Sequence, residues 1–136
     1  MVELDIEYKG DLHCEVEHGP SGQKFMTDAP VDNRGKGEAI SPTDLAAASI
    51  GSCIATIMGM KADDNNIDLK GLKIKVNKEM HPNPKRRIKR ITLNITFPKK
   101  YSEKELQVLK NVVKNCPVSR SLRDDVEIVP KFSFKE

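Results

Sequence analysis

The chain has 136 residues, about the length of one domain, since single hydrophobic cores typically gather roughly 100–150 residues. Hydrophobic residues make up 38% of it and charged residues 32%, a balance that excludes a disordered polar chain. The net charge of +3 excludes the strongly basic surface of a dedicated nucleic-acid-binding protein. We therefore expect a single soluble domain over residues 1–136, without nucleic acid as a partner.

The targeting and cysteine patterns predict a cytoplasmic protein. Residues 1–5 lack the basic and apolar regions of a signal peptide, and no apolar run reaches the ~18 to 20 residues that span a bilayer. The three cysteines, Cys14, Cys53 and Cys116, are too few and too widely spaced for a disulfide framework. In a reducing compartment such thiols are more often metal ligands or reactive groups. Because no apolar run is long enough to span a bilayer, we expect no membrane partner.

The first third of the chain is predicted to form a β-hairpin and a loop. Polar and apolar residues interleave over residues 2–17, and the Gly- and Pro-rich residues 19–22 form a turn signal before a second extended run. Residues 28–40 contain Pro, Gly and charges without periodicity, which is typical of a mobile connection.

A buried helix is predicted to follow this loop. Ser41 and Asp44 form a capping-box pattern, and residues 45–60 carry no charge, so the helix needs other structure around it. It is expected to end near residues 65–66. Four small residues at a spacing of four predict close packing against another helix: Ala47, Gly51, Ala55 and Gly59.

The second half of the chain is predicted to contain a hairpin, two helices and a last strand. Residues 72–77 and 91–97 alternate as the two strands of a hairpin, and Ser102 with Glu105 caps a helix. A short helix begins after Cys116, and a final strand is interrupted at Pro130. The order of elements predicts an α+β fold with antiparallel sheets around a long buried central helix.

Two of the cysteines occupy positions with different chemistry. Cys53 lies in the middle of the buried helix, whereas Cys116 lies at the amino end of a short helix, where N–H groups favour a thiolate. A thiolate can attack a peroxide oxygen to form a sulfenic acid, which a second thiol converts to a disulfide. The alternative is that both are small buried hydrophobic residues.

Two segments resemble the signatures of a known superfamily. SPTDLAAASIGSC at residues 41–53 and NCPVSRSL at residues 115–122 resemble those of the OsmC and organic hydroperoxide resistance (Ohr) proteins, and the order of elements fits essentially the whole chain. The resemblance implies an OsmC-like fold and an intertwined homodimer with active sites at the subunit interface. It also implies a peroxidase that reduces organic hydroperoxides to alcohols, with Cys53 as peroxidatic nucleophile and Cys116 as resolving thiol. No metal or bound cofactor is implied, only an external dithiol reductant of the lipoyl or thioredoxin-like type.

The chain departs from the family peroxidases, which pair a glutamate early in the central helix with an arginine in the first hairpin turn. Asp44 occupies the glutamate segment, and residues 19–22 contain no arginine. Asp44 and Arg34 are therefore the candidate thiolate-supporting residues, with Lys24 as another cation. The alternatives are that Asp44 only caps the helix, about 13 Å along the axis from Cys53, and that Arg34 is a solvated charge. These departures resemble less characterised OsmC-like branches, in which the fold transfers better than the chemistry.

The remaining candidates support weaker hypotheses. Cys14 is expected to be a packing residue of a strand, or else an accessory thiol. A metal site is not expected, because His13, Cys14, His18 and His81 lack metal-ligand spacing. The basic run at residues 85–90 is expected to be a solvated hairpin end, with nucleic-acid binding as the alternative. The alternative to a peroxidase is a thiol redox sensor or small-molecule-binding protein with little turnover.

Overall fold

A computed structural model describes all 136 residues of the chain, which forms two compact units, residues 1–46 and 47–136. The predicted α+β class is confirmed, whereas a single domain over residues 1–136 stays a prediction. The strands are β1 (Leu4–Gly10), β2 (His13–His18), β3 (Lys24–Asp28), β4 (Lys73–His81), β5 (Arg87–Phe97) and β6 (Glu127–Phe134). The helices are α1 (Pro42–Asp64), α2 (Glu103–Asn111) and α3 (Pro117–Arg120).

The first unit contains a three-stranded antiparallel sheet in the order β1-β2-β3, where the sequence predicted only one hairpin. The additional turn lies at residues 10–12, and all three of its residues have positive φ angles, of 88°, 54° and 63°. Gly10 adopts such an angle without steric cost, and Gly followed by Asp suits a tight hairpin turn. The first hairpin turn is therefore residues 10–12, and residues 19–22 form the second.

The connection from β3 to α1 is a loop, as predicted, with one short 3₁₀ turn at Val31–Asn33. Hydrogen bonds hold it close to the end of β3. The backbone N–H of Glu38 donates to the Asp28 carboxylate at 2.9 Å, and Thr27 forms an isolated parallel bridge with Ile40. The predicted mobility of this loop stays a prediction.

Helix α1 begins at the predicted capping box. The backbone N–H of Asp44 donates to Ser41 Oγ at 3.1 Å, and the N–H of Ser41 donates to Asp44 Oδ2 at 3.1 Å. By length and composition α1 is apolar enough to cross a membrane, but the core helix of a soluble protein passes the same test. Its buried residues lie in a stripe typical of a core helix: Ala47, Ile50, Gly51, Ile54, Met58 and Ala62.

The sheet of the second unit is mixed, which corrects the prediction of antiparallel sheets. Strands β4 and β5 pair antiparallel as predicted, but β6 pairs parallel to β5. Strand β6 also runs without interruption through Pro130, which lies opposite Leu93. The proline is tolerated because β6 is an edge strand, where its missing N–H can face away from the ladder.

The core of the second unit lies between α1 and β5. The α1 side chains of Ile50, Ile54 and Met58 are fully buried, as are four residues of β5: Ile91, Leu93, Ile95 and Phe97. The expectation that other structure surrounds α1 is not met within this chain. A ridge with no charged residue remains exposed along the helix: Ala48, Ser52, Thr56 and Met60.

Within this chain, the small-residue ridge of α1 approaches strand β4 closely, and the packing of another helix on the ridge stays a prediction. A Cβ atom added at Gly51 would lie 2.8 Å from the Cγ2 of Val76 on β4, whereas one at Gly59 would meet nothing within 4 Å. Gly51 is therefore required by packing, because a methyl group there overlaps a stiff β-branched side chain.

Alanine at these two glycines is expected to have opposite effects. Gly59→Ala should raise the free energy of unfolding by about 0.5–1 kcal/mol, because glycine weakens a helix interior. Gly51→Ala should be less stable than Gly59→Ala by about 1–3 kcal/mol, the usual cost of overpacking a core. Urea denaturation of both variants measures the difference, and equal stabilities would contradict the packing described for Gly51.

Candidate active site

Two elements of the second unit bring the thiols of Cys53 and Cys116 together. Helix α1 carries Cys53, which is half-buried, and Cys116 is the fully buried N-cap residue of α3. A 3₁₀ turn at Val112–Asn115 precedes Cys116, and Pro117 at the first helical position starts α3. The two thiols lie next to each other, and their interaction favours the proton on Cys53. The sequence pattern alone does not bring together these residues, which lie 63 positions apart.

Backbone groups of α3 surround the two sulfur atoms. The N–H of Ser119 donates to Cys116 Sγ at 3.4 Å, and the backbone N–H of Val118 lies near both sulfurs and lowers the pKa of each. The Ser119 hydroxyl donates to the Cys116 carbonyl at 3.1 Å, which holds the turn in place. Val118 and Ser119 were not predicted as site residues, although a helix that starts at Cys-Pro directs its next N–H groups back at the cap.

This arrangement moves the pKa values of the two thiols in opposite directions. Burial raises the pKa of Cys53, and the interaction with the Cys116 thiol raises it further. Burial alone would also raise the pKa of Cys116, but hydrogen bonds from Ser119 and the interactions with Cys53 and Val118 outweigh it and lower that pKa. Both directions favour the negative charge on Cys116 over the charge on Cys53.

The candidate supporting residues all lie in the first unit. The Asp44 carboxylate accepts the N–H of Ser41 at 3.1 Å, so its capping role is confirmed. Arg34 is exposed at the end of the 3₁₀ turn, with a left-handed φ of 73°. Lys24 forms an ion pair with Glu15 at 3.8 Å. Support of a thiolate by Asp44, Arg34 or Lys24 stays a prediction.

Two further predicted features have local explanations. Cys14 lies half-buried on β2 between Tyr8 and Thr27 of the neighbouring strands, a position that suits a packing residue.

Two arginines of the basic run are held by carboxylates. Arg90 bonds to Glu79 at 3.0 Å and to Glu127 at 2.7 Å, and Arg87 bonds to Asp125 at 3.1 Å.

Comparison with known proteins assigns the family. Residues 35–131, which include both signature segments, match the model of OsmC-like proteins. The solved structure of a Psychrobacter arcticus protein, named for the osmotic stress and detoxification response, is 40% identical and superimposes with a TM-score of 0.91. The match covers 97% of this chain and 96% of that one. This chain belongs to the OsmC-like family.

More distant structures share the OsmC-like fold. The organic hydroperoxide resistance protein OsmC of Legionella pneumophila is 18% identical, with a TM-score of 0.75 over 100% of this chain and 97% of that one. The organic hydroperoxide resistance protein OhrB of Bacillus subtilis is 18% identical, with a TM-score of 0.71 over 97% of each chain. No curated protein matches this OsmC-like chain. The predicted family and fold are confirmed.

Proposed function

We propose that this OsmC-like chain is a cysteine peroxidase that reduces organic hydroperoxides to alcohols. The pairing of Cys53 with Cys116 carries the proposal, because these neighbouring thiols differ in the direction of their pKa shifts and in their exposure. Half-buried Cys53 is open to a peroxide, whereas Cys116 is fully buried and can react only with a group already beside it. We therefore assign Cys53 as the nucleophile and Cys116 as the resolving thiol.

The first step uses Cys116 as the base for Cys53. The Cys116 thiolate takes the proton of the neighbouring Cys53 thiol, which leaves a Cys53 thiolate. This thiolate attacks the terminal oxygen of the hydroperoxide and the O–O bond breaks, so that Cys53 becomes a sulfenic acid and an alkoxide leaves. The alkoxide takes from Cys116 the proton that came from Cys53, and it departs as the alcohol. Cys116 is then a thiolate again.

The second step closes a disulfide. The Cys116 thiolate attacks the sulfur of the Cys53 sulfenic acid, an S–S bond forms and hydroxide leaves. One hydroperoxide has then been reduced by two thiols, with alcohol and water as the products after protonation. An external dithiol of the lipoyl or thioredoxin-like type reopens the disulfide by thiol exchange, in keeping with the predicted cytoplasmic location.

We further propose that the working form is a homodimer. Three exposed apolar residues lie on one face of β1, namely Leu4, Ile6 and Tyr8, with exposed fractions of 59%, 66% and 62%. Exposed apolar patches typically mark interaction surfaces, and the charge-free ridge of α1 (Ala48, Ser52, Thr56 and Met60) is a second such surface. Sedimentation equilibrium should give twice the 15.2 kDa chain mass, and Ile6→Lys should shift the protein toward monomer. An unshifted mass in Ile6→Lys would remove β1 from the interface.

Steady-state turnover tests the proposed activity. Reduced protein should consume cumene hydroperoxide catalytically with dihydrolipoamide as the reductant, and more rapidly than hydrogen peroxide. Cys14→Ser is the matched control, since it removes a thiol outside the pair and should keep full turnover.

A redox sensor is the second candidate, because the raised pKa of Cys53 limits its thiolate at neutral pH. A disulfide that forms once without catalytic peroxide consumption would favour the sensor over the peroxidase.

A further inference from the structure

The first unit gathers three metal-ligating side chains that the thiol chemistry does not use. His13 on β2 and Asp28 on β3 are direct partners in the antiparallel register, so their side chains lie on the same face of the sheet. Glu38 of the following loop joins them, because its backbone N–H donates to Asp28 Oδ2 at 2.9 Å. The ligand atoms of His13, Asp28 and Glu38 all lie within 4.8 Å of one another.

The orientation of the His13 ring suits a metal ligand. Its Nδ1 lies 2.6 Å from the Asp11 carbonyl oxygen, which can only accept, so Nδ1 carries the proton. In the neutral ring this leaves the Nε2 lone pair directed at the two carboxylates. Metal-bound histidines characteristically hold their other nitrogen in such a bond.

The two distances from His13 match those of a coordination shell. His13 Nε2 lies 3.5 Å from Asp28 Oδ2 and 3.6 Å from Glu38 Oε1, longer than charge-assisted hydrogen bonds of about 2.7–2.9 Å. Ligand atoms about 2.1 Å from a tetrahedral zinc ion are about 3.4 Å apart. A divalent ion between the three groups would account for these distances.

Asp28 provides a second, independent observation. Its side chain is completely buried, yet Oδ1 has no hydrogen-bond partner. A buried carboxylate with an oxygen that has no partner is costly, and a cation bound to this carboxylate, whose other oxygen Oδ2 faces His13 and Glu38, would offset that cost. Lys36 is the nearby cation, but its ammonium bonds to Asp11 at 2.9 Å rather than to Asp28 or Glu38.

We propose that His13, Asp28 and Glu38 form a divalent transition-metal site, suited to Zn²⁺, that fastens the loop after β3 to the sheet. One imidazole and two carboxylates are ligands that zinc accepts, and their two negative charges balance the ion. Three protein ligands leave a fourth position for water. The site would close the loop of residues 29–37, which carries Arg34.

Calorimetric titration of metal-free protein with ZnCl₂ tests the site. The Cys53→Ser/Cys116→Ser variant is used, because paired thiols would also bind zinc. One Zn²⁺ per chain should bind and raise the Tm, and both His13→Gln and Glu38→Gln should weaken binding at least about tenfold. His18→Gln is the matched control on the same strand and should bind as tightly as the parent.

Two further measurements show that loss of zinc binding does not come from misfolding and that the ligands are not thiols. The Glu38 side chain is 58% exposed, so Glu38→Gln should fold normally and lose only the zinc-dependent rise in Tm. Cobalt-loaded protein should show no thiolate-to-metal charge-transfer absorption, because Cys14 lies on the other face of β2 from His13. Absence of zinc binding, or equal affinity in His13→Gln, Glu38→Gln and the parent, would overturn the proposal.

Discussion

Cys53→Ser is expected to abolish turnover of organic hydroperoxides. A serine hydroxyl at this position can hydrogen-bond to Cys116, so the variant should fold, but it supplies no thiolate to attack the peroxide. The rate should fall by at least about a thousandfold, the scale on which losing a nucleophile acts. The remaining Cys116 should not substitute for Cys53, because it is fully buried.

The assay for this variant is peroxide consumption under saturating dihydrolipoamide, with circular dichroism to establish folding. Turnover of Cys14→Ser in the same assay shows whether the loss is specific to the Cys53 thiol or follows from removing any thiol. Full activity in Cys53→Ser would show that another residue attacks the peroxide.

Cys116→Ser is expected to trap the oxidised nucleophile. The first step should survive without this base, because Cys53 no longer faces a negative charge and its lower pKa gives a thiolate that can attack the peroxide by itself. Without a resolving thiol, however, the sulfenic acid cannot form a disulfide and is exposed to further peroxide. Cys116→Ser should therefore inactivate during turnover, with sulfinic and sulfonic acid accumulating at Cys53.

Mass spectrometry of the Cys53 peptide measures these products. The pH dependence of alkylation measures the pKa of the Cys53 thiol. The interaction with Cys116 contributes to the raised pKa of Cys53, so its removal should move Cys53 alkylation by iodoacetamide to lower pH. The first cause, burial, remains, so the shift should be partial. A stable sulfenic acid with unchanged turnover would contradict the resolving role of Cys116.

The sequence predicted the features that depend on neighbours along the chain. Both capping boxes could be predicted, at Ser41 with Asp44 and at Ser102 with Glu105, because a cap and its partner are three residues apart. The start of α3 after Cys116 could also be predicted locally, since Pro117 suits only the first turn of a helix.

Features that depend on pairing between distant residues were not predictable. The parallel alignment of β6 with β5 brings together Pro130 and Leu93, and no local pattern encodes the direction of such a pair. The cluster of His13, Asp28 and Glu38 forms only because β2 pairs with β3 and the loop returns, so its ligands have no sequence spacing. The turn at residues 10–12 was missed because alternation continues on both sides of it.

The central claim is that Cys53 and Cys116 form one redox pair. Its most direct test mixes reduced protein with one equivalent of cumene hydroperoxide, follows the loss of free thiols and maps the resulting disulfide by peptide mass spectrometry. We expect two thiols to disappear together, a Cys53–Cys116 disulfide to form and Cys14 to remain free. Thiols that stay reduced, or a disulfide that includes Cys14, would contradict this account.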